Sequence, residues 1–198
     1  MNSVKHLFSA VLLTLCLSSS ANAAEAFAAI PPQSASVAGQ SAPGFKMKTL
    51  DGKEVTSTQF SGKPYIVNFF ASWCPPCRQE IPGMVELQKK YAKQGFTFVG
   101  IAFRDREATL PDFLWEMGVE YPVGMTTPEL EATFGKFVPG GAIRAIPMTI
   151  VVGRDGKILN AVSGGLTKED FESLILKAIA TKTLRSNSDT TPSRFAIQ

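Results

Sequence analysis

Two cysteines are the residues of this chain best suited to chemistry. Cys74 and Cys77 are separated by two prolines, follow an apolar run at residues 65–70, and open a segment, residues 77–94, whose apolar residues recur with helical spacing. At the start of a helix, free amide groups and the positive end of the helix dipole favour a thiolate over a thiol. We therefore predict that Cys74 attacks a disulfide of another molecule and that Cys77 resolves the resulting mixed disulfide.

Three other roles for the cysteine pair stay open from the residues alone. A zinc half-site needs two further ligands, and the only other cysteine and histidine of the chain are Cys16 and His6. A purely structural disulfide gains little by closing so short a loop. A peroxidase cysteine has Thr or Ser three residues before it and Pro seven before it, where this chain has Ala71 and Val67. We predict no metal site and no cofactor other than the redox-active disulfide itself.

The residues between the cysteines bear on the direction of electron flow. Pro75 and Pro76 have no N–H group with which to stabilise a thiolate at Cys74. A less stabilised thiolate makes a more reducing couple, because strong oxidants owe their potential to a stabilised reduced form. The sequence therefore predicts a reductant, with a potential near about −270 mV rather than near about −120 mV.

The N-terminus has the pattern of an export signal. A short positive segment at residues 5–6 precedes an apolar run at residues 7–17, and Ala21-Asn22-Ala23 has the A-x-A pattern of a cleavage site. The apolar run is shorter than the about 20 residues that span a bilayer. We predict cleavage after Ala23 and a periplasmic or otherwise exported protein. An uncleaved membrane anchor and lipid attachment at Cys16 are the alternatives.

Composition limits the class of protein further. The 198 residues are 44% apolar and 19% charged, as in one globular domain, and a net charge of +3 gives no indication of nucleic-acid binding. The single histidine, His6, lies in the predicted signal, so chemistry that needs an imidazole is excluded from the mature chain. We divide the chain into a signal peptide at residues 1–23, a flexible linker at 24–41, a domain at 42–184 and a flexible tail at 185–198.

Strand and helix patterns alternate through the domain, which predicts an α/β fold with a mixed central sheet between helices. Thr167 and Asp170 have the spacing of a helix cap. The predicted elements are a hairpin at residues 45–55, strands at 65–70, 96–103, 148–152 and 157–162, and helices at 77–94, 110–117, 128–134 and 167–184.

The cysteine motif with Trp73 before it, and Ile146-Pro147 at the start of a later strand, resemble the thioredoxin superfamily. More narrowly, residues 42–182 resemble the TlpA/ResA-like exported thiol-disulfide oxidoreductases. The resemblance implies a thioredoxin-like fold with an N-terminal hairpin and a central insert, here residues 104–145. Within that insert, Pro139-Gly140-Gly141 departs from the family pattern and lengthens the loop before Pro147, so substrate choice is expected to differ from that of the cytochrome-maturation members.

The resemblance also implies roles for individual residues. Pro147 is expected to be cis and to pack beside the disulfide, and the main chain of Ile146 to bind the substrate as an added strand. Glu80 is expected to be buried near the thiols, where it could move the proton that Cys77 loses, the alternative being a solvated carboxylate. Arg144 either contacts a partner or is solvated. The predicted substrate-binding residues are Trp73, Pro75, Pro76, Ile146 and Pro147.

The expected partners follow from the same resemblance. They are disulfide-bearing exported proteins as substrates and an integral membrane thiol transporter as electron donor, with the chain itself a monomer. A role in cytochrome c maturation or metal-site assembly belongs to this class. The alternatives are a disulfide oxidase or isomerase, and a thioredoxin-fold binding scaffold that performs no turnover.

Overall fold

The structure is a computed structural model that describes residues 33–34 and 37–183. The predicted signal peptide with its cleavage site, His6, Cys16 and the predicted tail lie outside these residues. The strands are β1 (Gln33–Ser34), β2 (Lys46–Lys48), β3 (Glu54–Thr56), β4 (Tyr65–Phe70), β5 (Thr97–Ala102), β6 (Val123–Met125), β7 (Met148–Val152) and β8 (Ile158–Ser163). The helices are α1 (Pro75–Tyr91), α2 (Leu110–Glu116), α3 (Pro128–Gly135) and α4 (Lys168–Ala180).

The main sheet has the strand order β1-β8-β7-β4-β5-β6. β4, β5 and β6 run parallel, whereas β7 is antiparallel to β4 and to β8. β2 and β3 form a separate antiparallel hairpin, whose turn is closed by a hydrogen bond from the Gly52 N–H to the Thr49 carbonyl. The mixed sheet between helices and the N-terminal hairpin confirm the predicted architecture.

Helix α1 begins at the cysteine motif because the residues there suit the start of a helix. Cys74 is the N-cap, and Pro75 and Pro76 occupy the first two helical positions, where the missing N–H groups have no intrahelical partner to lose. A short 3₁₀ segment, Ala92–Gln94, continues the helix, and Gly95 ends it in the left-handed region with a φ of 81°. The helix starts two residues earlier than the sequence predicts.

The sheet separates two hydrophobic cores. Because side chains alternate along β4, Ile66 and Phe70 face the core that contains α1, α2 and α4, and Val67 and Phe69 face the core under the hairpin and α3. Asn68 lies on the α1 face and is fully buried, which is unusual for an amide side chain. The cysteine pair belongs to the α1 core, so buried apolar side chains lie behind the disulfide.

Two features near the ends of the domain correct the sequence prediction. β1 lies within the predicted linker of residues 24–41 and pairs with β8, and Gly39 donates its N–H to the carbonyl of Ile158, so the domain begins before residue 42. Helix α4 ends at Ala180 rather than near residue 184. There Thr181 leaves the helical region, and its hydroxyl accepts the N–H of Arg154 at 2.6 Å.

β6 is a further element that the sequence analysis did not predict. It is a three-residue strand that pairs with β5 and meets the hairpin at a bridge between Thr49 and Gly124. The predicted cap of α4 is confirmed, since the Thr167 hydroxyl accepts the N–H of Asp170 and the Asp170 carboxylate accepts the N–H of Thr167. No helix within the described residues is long and apolar enough to cross a membrane.

Candidate active site

The two cysteines form a disulfide at the N-terminus of α1. Their Cα atoms are 5.3 Å apart, and the Sγ atom of Cys74 accepts a hydrogen bond from the N–H of Cys77 at 3.4 Å. Cys77 has no exposed surface and Cys74 exposes 3%, whereas the neighbouring Trp73 exposes 59%. Both sulfurs are thus buried, and the exposed Trp73 lies next to Cys74 in the chain.

Few amide groups face the Cys74 sulfur. Pro75 and Pro76 have none to donate, and the N–H of Arg78 bonds to the Cys74 carbonyl at 3.1 Å rather than to its sulfur. The Cys77 amide is the backbone donor that the described residues provide to this atom. The two prolines therefore remove two of the amide donors that the start of a helix usually offers.

The loop before β7 lies against the disulfide. The Ile146–Pro147 peptide bond is cis, and the carbonyl oxygen of Ile146 lies 3.9 Å from the Sγ atom of Cys74. The carbonyl of Pro147 accepts the N–H of Gly164 at 3.0 Å. In the described part of the chain, neither the N–H nor the carbonyl of Ile146 pairs with another backbone group. The Ile146 main chain is thus available beside the sulfur.

Glu80 lies on the buried face of α1, with 5% of its surface exposed. Its Oε1 atom accepts a hydrogen bond from Asn68 Nδ2 at 2.9 Å, and its Oε2 atom accepts one from the Leu166 N–H at 3.2 Å. Burial raises the pKa of Glu80 to about 7, and the two hydrogen bonds oppose that rise only in part. The solvated alternative for this carboxylate is therefore wrong.

Two polar residues of the Glu80 site were missed by the sequence analysis. Asn68 on β4 and Thr149 on β7 are fully buried and lie opposite each other in the antiparallel register, and Asn68 Nδ2 donates to Thr149 Oγ1 at 3.1 Å. The signal available in the sequence is a polar residue inside an otherwise apolar strand, since a buried amide needs a partner. Asn68 links Thr149 to Glu80, because its Nδ2 donates to both, and Glu80 is 12 residues away from it along the chain.

The loop that leads to Pro147 contains a 3₁₀ turn at Pro139–Gly141, where Gly140 and Gly141 have φ values of 78° and 70°. These left-handed conformations explain the two adjacent glycines, because other residues adopt them at a cost. Arg144, on the same loop, is exposed. The loop connects α3 to the cis-proline, and Ile146 at its end lies beside Cys74.

The fold and the disulfide together define a class of protein, the thioredoxin-fold thiol-disulfide oxidoreductases. The chain belongs to the AhpC/TSA family, whose family model matches residues 38–161. Its structure is similar to the crystal structure of a thiol:disulfide interchange protein of the thioredoxin family from Chlorobium tepidum TLS. The two chains are 43% identical, with a TM-score of 0.68 over 71% of this chain and 96% of the other.

Curated relatives carry the same activity in their names. The thiol-disulfide oxidoreductase ResA of Bacillus thuringiensis subsp. konkukian is 29% identical over 140 residues, which cover 70% of this chain and 77% of the relative. ResA of Bacillus subtilis is 26% identical and is covered over 75% of its length. These relatives confirm the predicted enzyme class, thiol-disulfide oxidoreductase, and the predicted family resemblance.

Proposed function

We propose that this protein is an exported reductant of protein disulfides that works through a dithiol–disulfide cycle of Cys74 and Cys77. The observation that carries the proposal is the position of the disulfide. It lies at the N-terminus of α1, with the free main chain of Ile146 beside the Cys74 sulfur. The cycle needs no bound group besides the two cysteines.

In the first step, the Cys74 thiolate attacks one sulfur of the substrate disulfide. A bond forms between Cys74 and that sulfur, the substrate S–S bond breaks, and the second substrate sulfur leaves as a thiolate and takes up a proton. The exposed Trp73, with Pro75, Pro76 and Pro147, borders the place where the substrate lies. The Ile146 N–H and carbonyl hold the substrate chain as an added strand, because both groups lack a backbone partner among the described residues.

In the second step, Cys77 resolves the mixed disulfide. Glu80, one turn along α1, takes the thiol proton, and the Cys77 thiolate attacks the Cys74 sulfur. The bond between Cys74 and the substrate breaks, and the substrate sulfur leaves as a thiolate that takes up a proton. The substrate is then fully reduced, and the Cys74–Cys77 disulfide of the structure is the product. Asn68 Oδ1 is buried without a partner among the described residues and, after rotation of the amide, offers an acceptor for the proton on Glu80.

The reducing direction is supported by the shortage of donors around Cys74. One amide, that of Cys77, faces its sulfur, and the two prolines provide none. We therefore expect a potential closer to the about −270 mV of thioredoxin than to the about −120 mV of a strong oxidant. The disulfide must then be reduced again by an external dithiol, for which the family resemblance indicates an integral membrane thiol transporter.

The compartment and the substrate class follow from the N-terminal sequence. The positive segment, apolar run and A-x-A site before Ala24 direct the chain to an oxidising, extracytoplasmic setting, where substrate disulfides occur. The substrate class is an exported protein with a disulfide, and apocytochrome c and metal-site assembly proteins are members of this class. The peroxidase alternative finds no support in the site, since Val67 and Ala71 are buried apolar residues without a hydroxyl.

The experiment that tests the proposal traps the intermediate. In Cys77→Ser, the first step proceeds and the second cannot, so we expect a mixed disulfide through Cys74 with exported proteins in intact cells. Cys74→Ser is the matched control and should trap nothing. Mass spectrometry of the trapped species identifies the substrate.

Two outcomes would reject the proposal. A Cys77→Ser variant that accumulates no mixed disulfide, in cells or with a model disulfide protein, would favour a binding scaffold. A trapped species together with a measured wild-type potential near about −120 mV would show an oxidase or isomerase instead.

A further inference from the structure

Ser72, two residues before Cys74, has all three of its polar groups bound by residues outside its loop. Its N–H donates to Asp105 Oδ2 at 2.5 Å, and its hydroxyl donates to Asp105 Oδ1 at 2.8 Å. Its carbonyl accepts from Arg78 Nη1 at 3.0 Å. The N–H and the hydroxyl of Ser72 are therefore both occupied by the carboxylate of Asp105.

The chain after β5 is shaped so that Asp105 reaches this position. The Phe103 N–H bonds to the Phe70 carbonyl at 2.7 Å, which extends the pairing of the two central strands by one residue. Arg104 then adopts a φ of 51°, a left-handed conformation that is uncommon for residues other than glycine, asparagine and aspartate. This turn directs Asp105 back to Ser72. Strained backbone is found mostly at functional sites, so the strain at Arg104 suggests that the contact between Asp105 and Ser72 serves a function.

We propose that Asp105 is a positioning residue for Cys74: it keeps the Ser72 donors away from the sulfur and places a negative charge beside the start of α1, so that the Cys74 thiol stays protonated and the couple stays reducing. This inference rests on the proposed function and names the residue that sets its direction. The carboxylate opposes the helix dipole, which by itself would favour a thiolate. It acts in addition to the prolines, which remove two amide donors.

Other charged side chains also lie around this loop, and the test below measures the net effect of removing the charge of Asp105 from among them. Arg78 of α1 is held by the Ser72 carbonyl and stacks over the ring of Phe113 at 4.9 Å. Arg104 points to Glu131, 3.9 Å away, and to the Phe103 ring. The other charged side chains of the neighbouring elements include exposed Arg106 and Glu107 after β5, exposed Asp112 on α2, exposed Arg144 before β7 and buried Glu80 on α1.

The test measures the pH at which Cys74 becomes reactive. The reduced full-length protein is alkylated with iodoacetamide over a range of pH, and the extent of reaction at Cys74 is read by peptide mass spectrometry. Ser72 and Cys74 are two residues apart, at most about 7 Å of chain. A charge at roughly that distance changes an ionisation constant by about threefold at the dielectric constant of water and by more at a protein surface, so a change of about three- to tenfold is a low expectation. We therefore expect Asp105→Asn to move the alkylation midpoint down by about half to one pH unit.

The attack on a small disulfide should change less than the alkylation midpoint. A thiolate of lower pKa is also a weaker nucleophile, so at neutral pH Asp105→Asn should react about twofold faster than wild type. Glu107→Gln is the matched control, because it removes one negative charge from the same segment at an exposed position. Its midpoint should stay at the wild-type value. Ser72→Ala keeps the charge of Asp105 and should stay close to wild type as well.

Three outcomes would overturn the proposal: an unchanged or higher midpoint in Asp105→Asn, an equal shift in Glu107→Gln, or an equal shift in Ser72→Ala. If Asp105→Asn does not fold, Asp105→Ser, whose hydroxyl can still accept from Ser72, gives the same readout. A purely structural role would lower the unfolding temperature of Asp105→Asn and leave the midpoint in place. None of these results affects trapping through Cys77→Ser, so failure here is distinguishable from failure of the proposed function.

Discussion

The buried carboxylate of Glu80 makes the stability of the oxidised protein depend on pH in a way that one substitution should remove. Burial raises the pKa of Glu80 from 4.5 to about 7 in the folded state, whereas the unfolded chain keeps the ordinary value. Between these two pH values the folded state holds one more proton than the unfolded state. The contribution of Glu80 to the free energy of unfolding is therefore largest below about pH 4.5 and is lost as the pH rises through about 7.

The magnitude follows from the same pKa values. Each pH unit between them corresponds to about 1.4 kcal/mol, so the wild type should lose about 3 kcal/mol of stability from this group across the interval. Glu80→Gln cannot titrate and should not show this loss. The measurement is urea denaturation of the oxidised protein at several pH values, in which the disulfide-bonded cysteines do not titrate. The comparison uses the change of the unfolding free energy with pH rather than its absolute value, because the amide of the Glu80→Gln variant also alters the hydrogen bonds to Asn68 and Leu166.

A control on the same helix separates burial from the loss of a charge. Glu86 is exposed on α1 and pairs with Lys168, and such surface pairs contribute about 1 kcal/mol or less. Glu86→Gln should keep the wild-type pH dependence. If the free energy of unfolding changes with pH in the same way in wild type and Glu80→Gln, the carboxylate does not titrate near neutral pH. That result would also remove the reason to assign it the proton of Cys77.

Two further substitutions test the start of α1 and the packing of β6. Pro76→Ala restores an amide at a position that commonly donates to the N-cap. The alkylation midpoint of Cys74 should therefore fall by about one pH unit, and the redox potential should become less negative. No change in either quantity would refute the argument that the prolines withhold donors from the sulfur. Gly124→Ala places a Cβ atom 2.5 Å from the Lys48 carbonyl and should destabilise the protein by about 1–3 kcal/mol in thermal unfolding. Gly44→Ala meets its nearest neighbour at 3.8 Å and should change stability little; equal losses for the two glycines would contradict the packing account.

Local sequence was sufficient for most of the elements. The apolar run of β4 has the predicted ends, and Gly95 and the cap at Thr167 lie where their turn and capping chemistry predicts. These signals act within a few residues, so they can be read without the fold. The sequence analysis missed β6 because three residues are too few to show the alternation of apolar and polar side chains that marks a strand. This strand forms through its pairing with β5 and the bridge between Gly124 and the hairpin.

The sequence by itself determined the reacting pair. Cys74 and Cys77 are one helical turn apart, and a strand, two prolines and a helix start are encoded beside them. Only the tertiary structure decided what surrounds that pair: the Ile146 carbonyl 72 residues away, the Leu166 amide 86 residues from Glu80, and Asp105 on Ser72. The reason is physical. Thiol chemistry requires a spacing that the chain fixes locally, whereas burial, charge and hydrogen-bond donors come from segments that meet only when the sheet and its crossovers have formed.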